Sequence, residues 1–252
     1  MDRIEADVLA EGKRLLARAA AENVPLRLLG GVAIRLRAPG GLPAPFAREY
    51  GDLDFVTVRR GATVASTFLR AEGYEPHVAF NALHGNERLL FFDNEHDRQV
   101  DVFVGQFRMS HRIPLDQRLE IEPGTLPLAE LLLTKLQIAQ LNEKDVRDAL
   151  AVLHGHPVGE EDGEQVNAGR VAELCAGDWG LWRTFTANLA SCRDYVSRYD
   201  LPAPEQGELV ARIDALSERI EREPKTRAWR LRAKVGERKR WYELPEEVAG
   251  GP

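Results

Sequence analysis

Two periodicities divide this chain. Ile4, Val8, Leu9, Leu15 and Leu16 recur among charges at helical spacing, so residues 4–23 are predicted as a leading helix. Leu26 to Leu29 is a short apolar run that ends in Gly30-Gly31, and helical spacing resumes through Leu36. Residues 38–45 hold three prolines and two glycines and read as a loop. The run Gly51 to Val58 alternates as a strand does, residues 62–72 return to helical spacing, and Gly73 ends them. Val78–Phe80 and Glu87–Phe92 are predicted as strands of a meander around the turn 81–86. After a turn at 93–97, Gln99 to Val104 reads as another strand. From Leu128 onward nearly everything is helical, with breaks at Gly155-His156-Pro157 and Pro202-Ala203-Pro204. Leu209, Val210, Ile213, Leu216 and Ile220 form an amphipathic stripe over 205–222. The expected architecture is α/β: a mixed α+β sheet with flanking helices over residues 1–126, then a helical domain over 127–252.

Two of the predicted strands carry aspartates. A strand places every second side chain on one face, so Asp52 and Asp54 share a face, roughly 6.5 Å apart, while Leu53 and Phe55 face the other way. Aspartate is a poor strand former, and like charges so placed are costly to desolvate. A shared divalent cation would remove that conflict. Asp101 stands alone among apolar residues on the later strand and makes a third candidate carboxylate. Val56 and Thr57 occupy positions where a calcium-binding loop needs a ligand and a glycine, which excludes that motif. Gly30-Gly31, at a strand-to-helix junction, would let a phosphate approach the backbone and the N-terminus of the helix. No Walker-type phosphate loop occurs.

Other residues have two readings. Arg48 either steadies the acids or contacts phosphate, or it is a solvated loop charge. Lys135 follows an apolar helical run at the edge of a buried face, where it either neutralises phosphate charge or snorkels to the surface. Asp145 and Asp148 share a helix face, and Asn142 to Asp145 also reads as an N-cap with its acid. His154 and His156 precede Glu160, Glu161 and Asp162, but the glycine and proline among them fix no ligand geometry. Lys225 through Arg240 is rich in Lys and Arg, with Trp229, Trp241 and Tyr242 interleaved. Such a stretch either tracks RNA or covers the bundle with its tryptophans inward.

Bulk composition narrows the classes. A net charge of −6 argues against a protein whose whole surface is a nucleic-acid footprint, though not against a local basic patch. No apolar run is long enough for a membrane span, and Met1 to Ala20 is charged and amphipathic rather than signal-like, so a cytoplasmic location without membrane partners is expected. Cys175 and Cys192 lack metal-ligand spacing and are read as helix-packing residues.

The order Gly30-Gly31, then Arg48 four residues before Asp52-Leu53-Asp54, then Asp101 resembles the nucleotidyltransferase superfamily, the polymerase-β-like fold. It is most similar to the AbiEii-like toxin and aminoglycoside-nucleotidyltransferase-like branches. The later Leu131 to Gln137, with Lys135, and Lys144-Asp145-Val146-Arg147-Asp148 are similar to the AbiEii-type pattern. The resemblance covers about residues 24–155. Tyr50 stands where that pattern commonly has Ser, and Gly31 lacks the hydroxyl of a Gly-Ser motif. The resemblance implies Mg²⁺, two ions, on Asp52, Asp54 and Asp101. It implies an NTP, ATP foremost, held by Gly30, Gly31, Arg48 and Lys135. It implies catalytic roles for the three acids, Lys135 and Asp145, with Asp101 as general base. NMP transfer would go to an RNA or tRNA 3′ end, or to a small hydroxylated molecule of the aminoglycoside type. A toxin would also have an antitoxin partner. A silent nucleotidyltransferase-fold binding module is the reading from another class.

Overall fold

The structure is a computed structural model that describes residues 4–244. The ends of both expected domains, residues 1–3 and 245–252, lie outside the described residues. The fold is α/β with a mixed sheet and, among the described residues, ten α-helices. The chain opens with α1 (Val8–Ala21), capped by the Asp7 carboxylate, which accepts from the Ala10 N–H. Strand β1 (Leu26–Leu29) leads directly into α2 (Gly30–Arg37). Then come β2 (Asp52–Thr57), α3 (Ala62–Ala71), β3 (Glu75–Pro76), α4 (Val78–His84), β4 (Arg88–Asp93) and β5 (Arg98–Val104). A small hairpin, β6 (Gln106–Arg108) and β7 (Arg112–Pro114), precedes the second half. There α5 (Leu128–Leu136) and α6 (Glu143–Gly155) are followed by the parallel pair β8 (Val158–Gly159) and β9 (Val166–Asn167). Helices α7 (Ala168–Gly177), α8 (Trp179–Tyr195), α9 (Ala203–Arg222) and α10 (Arg227–Val235) close the described chain.

The main sheet has the order β1-β2-β5-β4-β3. Only the central pair β2 and β5 is parallel, and every other neighbour is antiparallel. Beyond β1, the Leu28 N–H donates to the Gly124 carbonyl (2.8 Å) and the Leu126 N–H to the Leu28 carbonyl (2.9 Å). A passing segment thus covers one sheet edge. Leu53 and Phe55 of β2 are fully buried, as the alternation requires. The buried apolar residues form one cluster that runs from Leu15 to Ile220 and so joins the sheet to the helices. Leu209, Ile213, Leu216 and Ile220 of α9 are its last members, and Cys175 and Cys192 are buried within it.

One predicted strand is a helix. Val78–Phe80 opens α4, because His77 Nδ1 accepts from the Phe80 N–H (3.2 Å) and caps the first turn. Its neighbour Asn81 does what a strand partner would do. The Asn81 amide donates to the Leu90 carbonyl (3.0 Å) and accepts from the Leu90 N–H (2.7 Å). The strand on that edge is the short Glu75–Pro76; the His77 N–H makes one more bond, to the Leu90 carbonyl (2.9 Å), before α4 begins.

Candidate active site

The acids meet through register. In the parallel pair, Asp54 lies opposite Asp101 and Asp52 opposite Gln99. Directly opposed residues point to one face, so Asp52, Asp54 and Asp101 emerge on the same side of neighbouring strands. Asp52 is exposed, Asp54 partly buried and Asp101 buried. Burial and the charges of Asp52 and Asp101 push the Asp54 carboxyl up to about 8, with Lys135 and Arg88 opposing them. Burial first, and the two neighbouring carboxylates after it, therefore favour the protonated form of Asp54.

Asp101 is held on both oxygens. Arg88 Nε donates to Oδ1 at 2.7 Å, and Gln99 Nε2 donates to Oδ2 at 2.7 Å. Arg88 projects from β4, opposite Phe103, on the same face as Asp101. Among the described residues, no three His, Cys, Asp or Glu side chains stand together as a group that could hold a metal ion. The donor set nonetheless has the character a hard divalent cation requires. It is oxygen-only and anionic, and burial and the neighbouring acids leave the Asp54 charge disfavoured without a cation.

Both glycines are required by close approach. Gly30 has φ +71°, and a Cβ there would lie 2.2 Å from Asp54 Oδ2. A Cβ on Gly31 would lie 2.2 Å from Arg48 Nη2 and 2.7 Å from the Tyr50 ring. The first turn of α2, which no side chain caps, thus lies against Asp54 on one side and Arg48 and Tyr50 on the other. The space immediately over Gly31 belongs to these side chains. Tyr50 fills the position where the resembling pattern has Ser, and its buried hydroxyl has no hydrogen-bond partner.

Arg48 and Lys135 converge on one acid, Asp148. Arg48 makes a two-point contact, Nε to Oδ1 at 2.9 Å and Nη2 to Oδ2 at 2.8 Å, and stacks 4.3 Å from the Tyr50 ring centroid. Lys135 Nζ lies 2.8 Å from Asp148 Oδ2 and 3.5 Å from Asp145 Oδ1. Burial disfavours the Lys135 ammonium, but Asp148 and Asp145 outweigh it and raise its pKa above the ordinary lysine value. Burial likewise disfavours the Asp148 carboxylate, yet hydrogen bonds from Arg48 and the charge of Lys135 hold its pKa below the ordinary range. Asp145 is shifted upward by burial, with Lys135 opposing. Asn142 caps α6, accepting from the Asp145 N–H at 2.9 Å, so the Asp145 backbone serves the helix while its carboxylate faces Lys135.

The remaining candidates lie elsewhere. His156 is buried and its ring nitrogens meet backbone carbonyls, Arg37 at 3.0 Å and Glu164 at 3.2 Å. His154 pairs with Glu205 at 2.9 Å. These histidines fasten loops. Lys225 through Arg240 includes α10, in which no residue is buried. Trp229 leans edge-on against Trp182 (centroids 5.1 Å apart), and Trp241 against Trp179 (6.0 Å). Aromatic side chains dock this stretch on the bundle, as the covering reading expects, and its charges remain at the surface. Besides Gln99, the residue that sequence reasoning missed is Arg88. Its only sequence signal was a position of even spacing on the strand facing Asp101.

In comparisons with known proteins, no family model matches the chain and no curated protein is similar to it.

Proposed function

We infer that this protein is a divalent-cation-dependent nucleotidyltransferase. The observation that supports the reading best is the register that sets Asp52, Asp54 and Asp101 on one face of neighbouring strands, with Asp54 against the Gly30 turn and its carboxyl displaced upward by burial and by the other two acids. Asp52, Asp54 and Asp101 would hold magnesium, two ions in this reading. Bound there, the metal would acidify the acceptor hydroxyl and neutralise the leaving phosphates. The chain's own groups supply the rest. Where Arg48 and Tyr50 yield the space over Gly31, the turn and the N-terminus of α2 would offer N–H donors and a positive dipole end to the phosphates of ATP or another NTP. Lys135, kept charged by Asp148 and Asp145, and Arg48 add fixed positive potential behind them. The acceptor oxygen forms its bond to the α-phosphorus, the bond to the β-phosphate oxygen breaks, and pyrophosphate departs. Asp101 takes the hydroxyl proton once Arg88 has released it. The acceptor is RNA or a small hydroxylated molecule.

A silent binding module is the second reading. What favours it is that both Asp101 oxygens are already engaged by Arg88 and Gln99. Pyrophosphate release from Mg²⁺–ATP, together with Mn²⁺–ATP binding by calorimetry, separates the two. The enzyme reading expects both in the wild-type chain and neither in Asp54→Asn. Nucleotide binding without turnover on any acceptor would favour the silent module. The absence of both in the wild type, or full turnover in Asp54→Asn, would end the enzyme reading.

A further inference from the structure

Two cavities outside the acid cluster meet at Glu243. The first, about 200 Å³, is walled by Phe80 and His84 of α4, Phe103 of β5, and Met109. Arg88 forms its inner side. The guanidinium carbon lies 5.3 Å from the Phe103 ring centroid and 5.8 Å from that of Phe80, while Nε holds Asp101. One side chain therefore separates this cavity from the third carboxylate.

Sheet order fixes its role relative to the phosphates. Gly30-Gly31 follows β1, on the far side of β2 from Asp101, whereas Arg88 and the cavity lie on the β4 side. Attacking and leaving oxygens lie roughly in line across phosphorus. With the phosphates at the glycine turn, the acceptor approaches from the β4 side. The cavity's charges are already paired: Arg108 binds Glu87 at 2.8 Å and Glu243 at 2.8 Å. That leaves little for a polycation or a phosphate. A planar, uncharged ring with polar edges suits the Phe80, His84 and Phe103 walls, and a nucleobase is such a ring.

The second cavity, about 590 Å³, has the opposite character. Its lining sets Arg112, Lys239 and Arg240, all exposed, and Arg232 against two acids, Asp178 and Glu243, beside Trp241 and Tyr242. Trp241 is fixed there: its indole N–H donates to Thr184 Oγ1 at 3.1 Å. Local positive charge next to aromatic faces, in a chain of net charge −6, is the equipment for a nucleic-acid backbone.

We propose that the two cavities form one acceptor track for the single-stranded end of a nucleic acid. The terminal base enters the Phe80–His84–Phe103 cavity, and the following phosphates lie along Arg112, Lys239 and Arg240. The track rests on the nucleotidyltransferase reading for its orientation, and it selects a nucleic acid over a small cationic acceptor.

The test is fluorescence anisotropy of the full chain with a labelled single-stranded RNA hexamer, without metal or nucleotide. Phe80→Ala should weaken binding about tenfold, as loss of one base–aromatic stack does, and Phe80→Trp should restore it. Three phosphate contacts give a slope of log affinity against log salt of about −2, and Lys239→Ala with Arg240→Ala should reduce it to less than half. Arg112→Ala, on a separate element, serves as the charge variant if either of these fails to fold. RNA affinity unchanged in both the Phe80 and the charge variants overturns the track. So does Phe80-dependent labelling of an aminoglycoside while RNA stays unlabelled. Because this binding needs no metal, its failure leaves the nucleotidyltransferase reading standing. Failure of Mn²⁺–ATP binding strikes only that reading.

Discussion

Asp54 carries the central tension of the molecule. It is wedged against Gly30, desolvated, and faces Asp52 and Asp101, whose charges Lys135 and Arg88 only partly offset. An acid whose pKa is raised to about 8 in the folded state binds its proton more tightly there than in the unfolded chain. Folding stability contributed by this group is then lost as pH rises from roughly 4 through 8. Asp54→Asn removes the charge and keeps the shape. The metal-free variant should therefore be more stable than wild type at pH 7.5, by about 1 kcal/mol or more, in urea unfolding. A less stable variant would mean that the carboxylate makes favourable contacts that outweigh its repulsion. At this scale the shared face of Asp52 and Asp54 was legible because alternation along a strand needs no tertiary information, whereas Asp101 joins them only through the register of β2 with β5. Arg88, Gln99 and the unpartnered Tyr50 hydroxyl were not legible. Their significance comes from what lies across the sheet or above a turn, and one strand's pattern does not contain it.

Between elements, the junction of α5 and α6 with the loop before β2 depends on Asp148. That carboxylate is buried and receives Arg48 at two points and Lys135 at a third. Removing it would leave two largely buried cations without their shared partner, which is costlier than losing the attraction itself. Asp148→Ala should destabilise the protein by about 3 kcal/mol in denaturant unfolding, near the lower end for a broken buried pair. The same substitution should also weaken Mn²⁺–ATP binding, because Arg48 and Lys135 lose their fixed positions. A loss under 1 kcal/mol would show that the cluster relaxes toward solvent. The helices themselves were readable from their stripes, α9 most plainly. The spacing of Asp145 and Asp148 gave a shared face, and the resemblance favoured Asp145, whereas Arg48 and Lys135 meet on Asp148. Ranking the two needs Arg48, a hundred residues earlier in the chain. The error at Val78–Phe80 has a similar origin. A three-residue apolar run is ambiguous in period, and the cap from His77 and the pairing of Asn81 with Leu90 decided it.

Across the whole molecule, buried titratable groups pull stability in opposite directions, and that makes the metal question measurable without catalysis. His111 and His156 are buried, and burial lowers the pKa of both below the ordinary histidine value. A histidine depressed in the folded state favours folding while neutral and loses that contribution as pH falls through its unfolded value, near 6.5. Asp54 has the other sign and loses stability as pH rises. The metal-free protein should thus show a stability maximum on the acid side of neutrality, declining in both directions. A divalent cation binds only the charged Asp54, so it should act on one limb alone. In thermal scans from pH 5 to 8.5, Mn²⁺ should raise the melting temperature progressively toward alkaline pH and leave the acid decline unchanged. In Asp54→Asn the alkaline decline should be absent and Mn²⁺ without effect, while His156→Gln should make the acid limb shallower. Mn²⁺ stabilisation of equal size at every pH, or retained in Asp54→Asn, would place the cation elsewhere and detach the three carboxylates from the chemistry assigned to them.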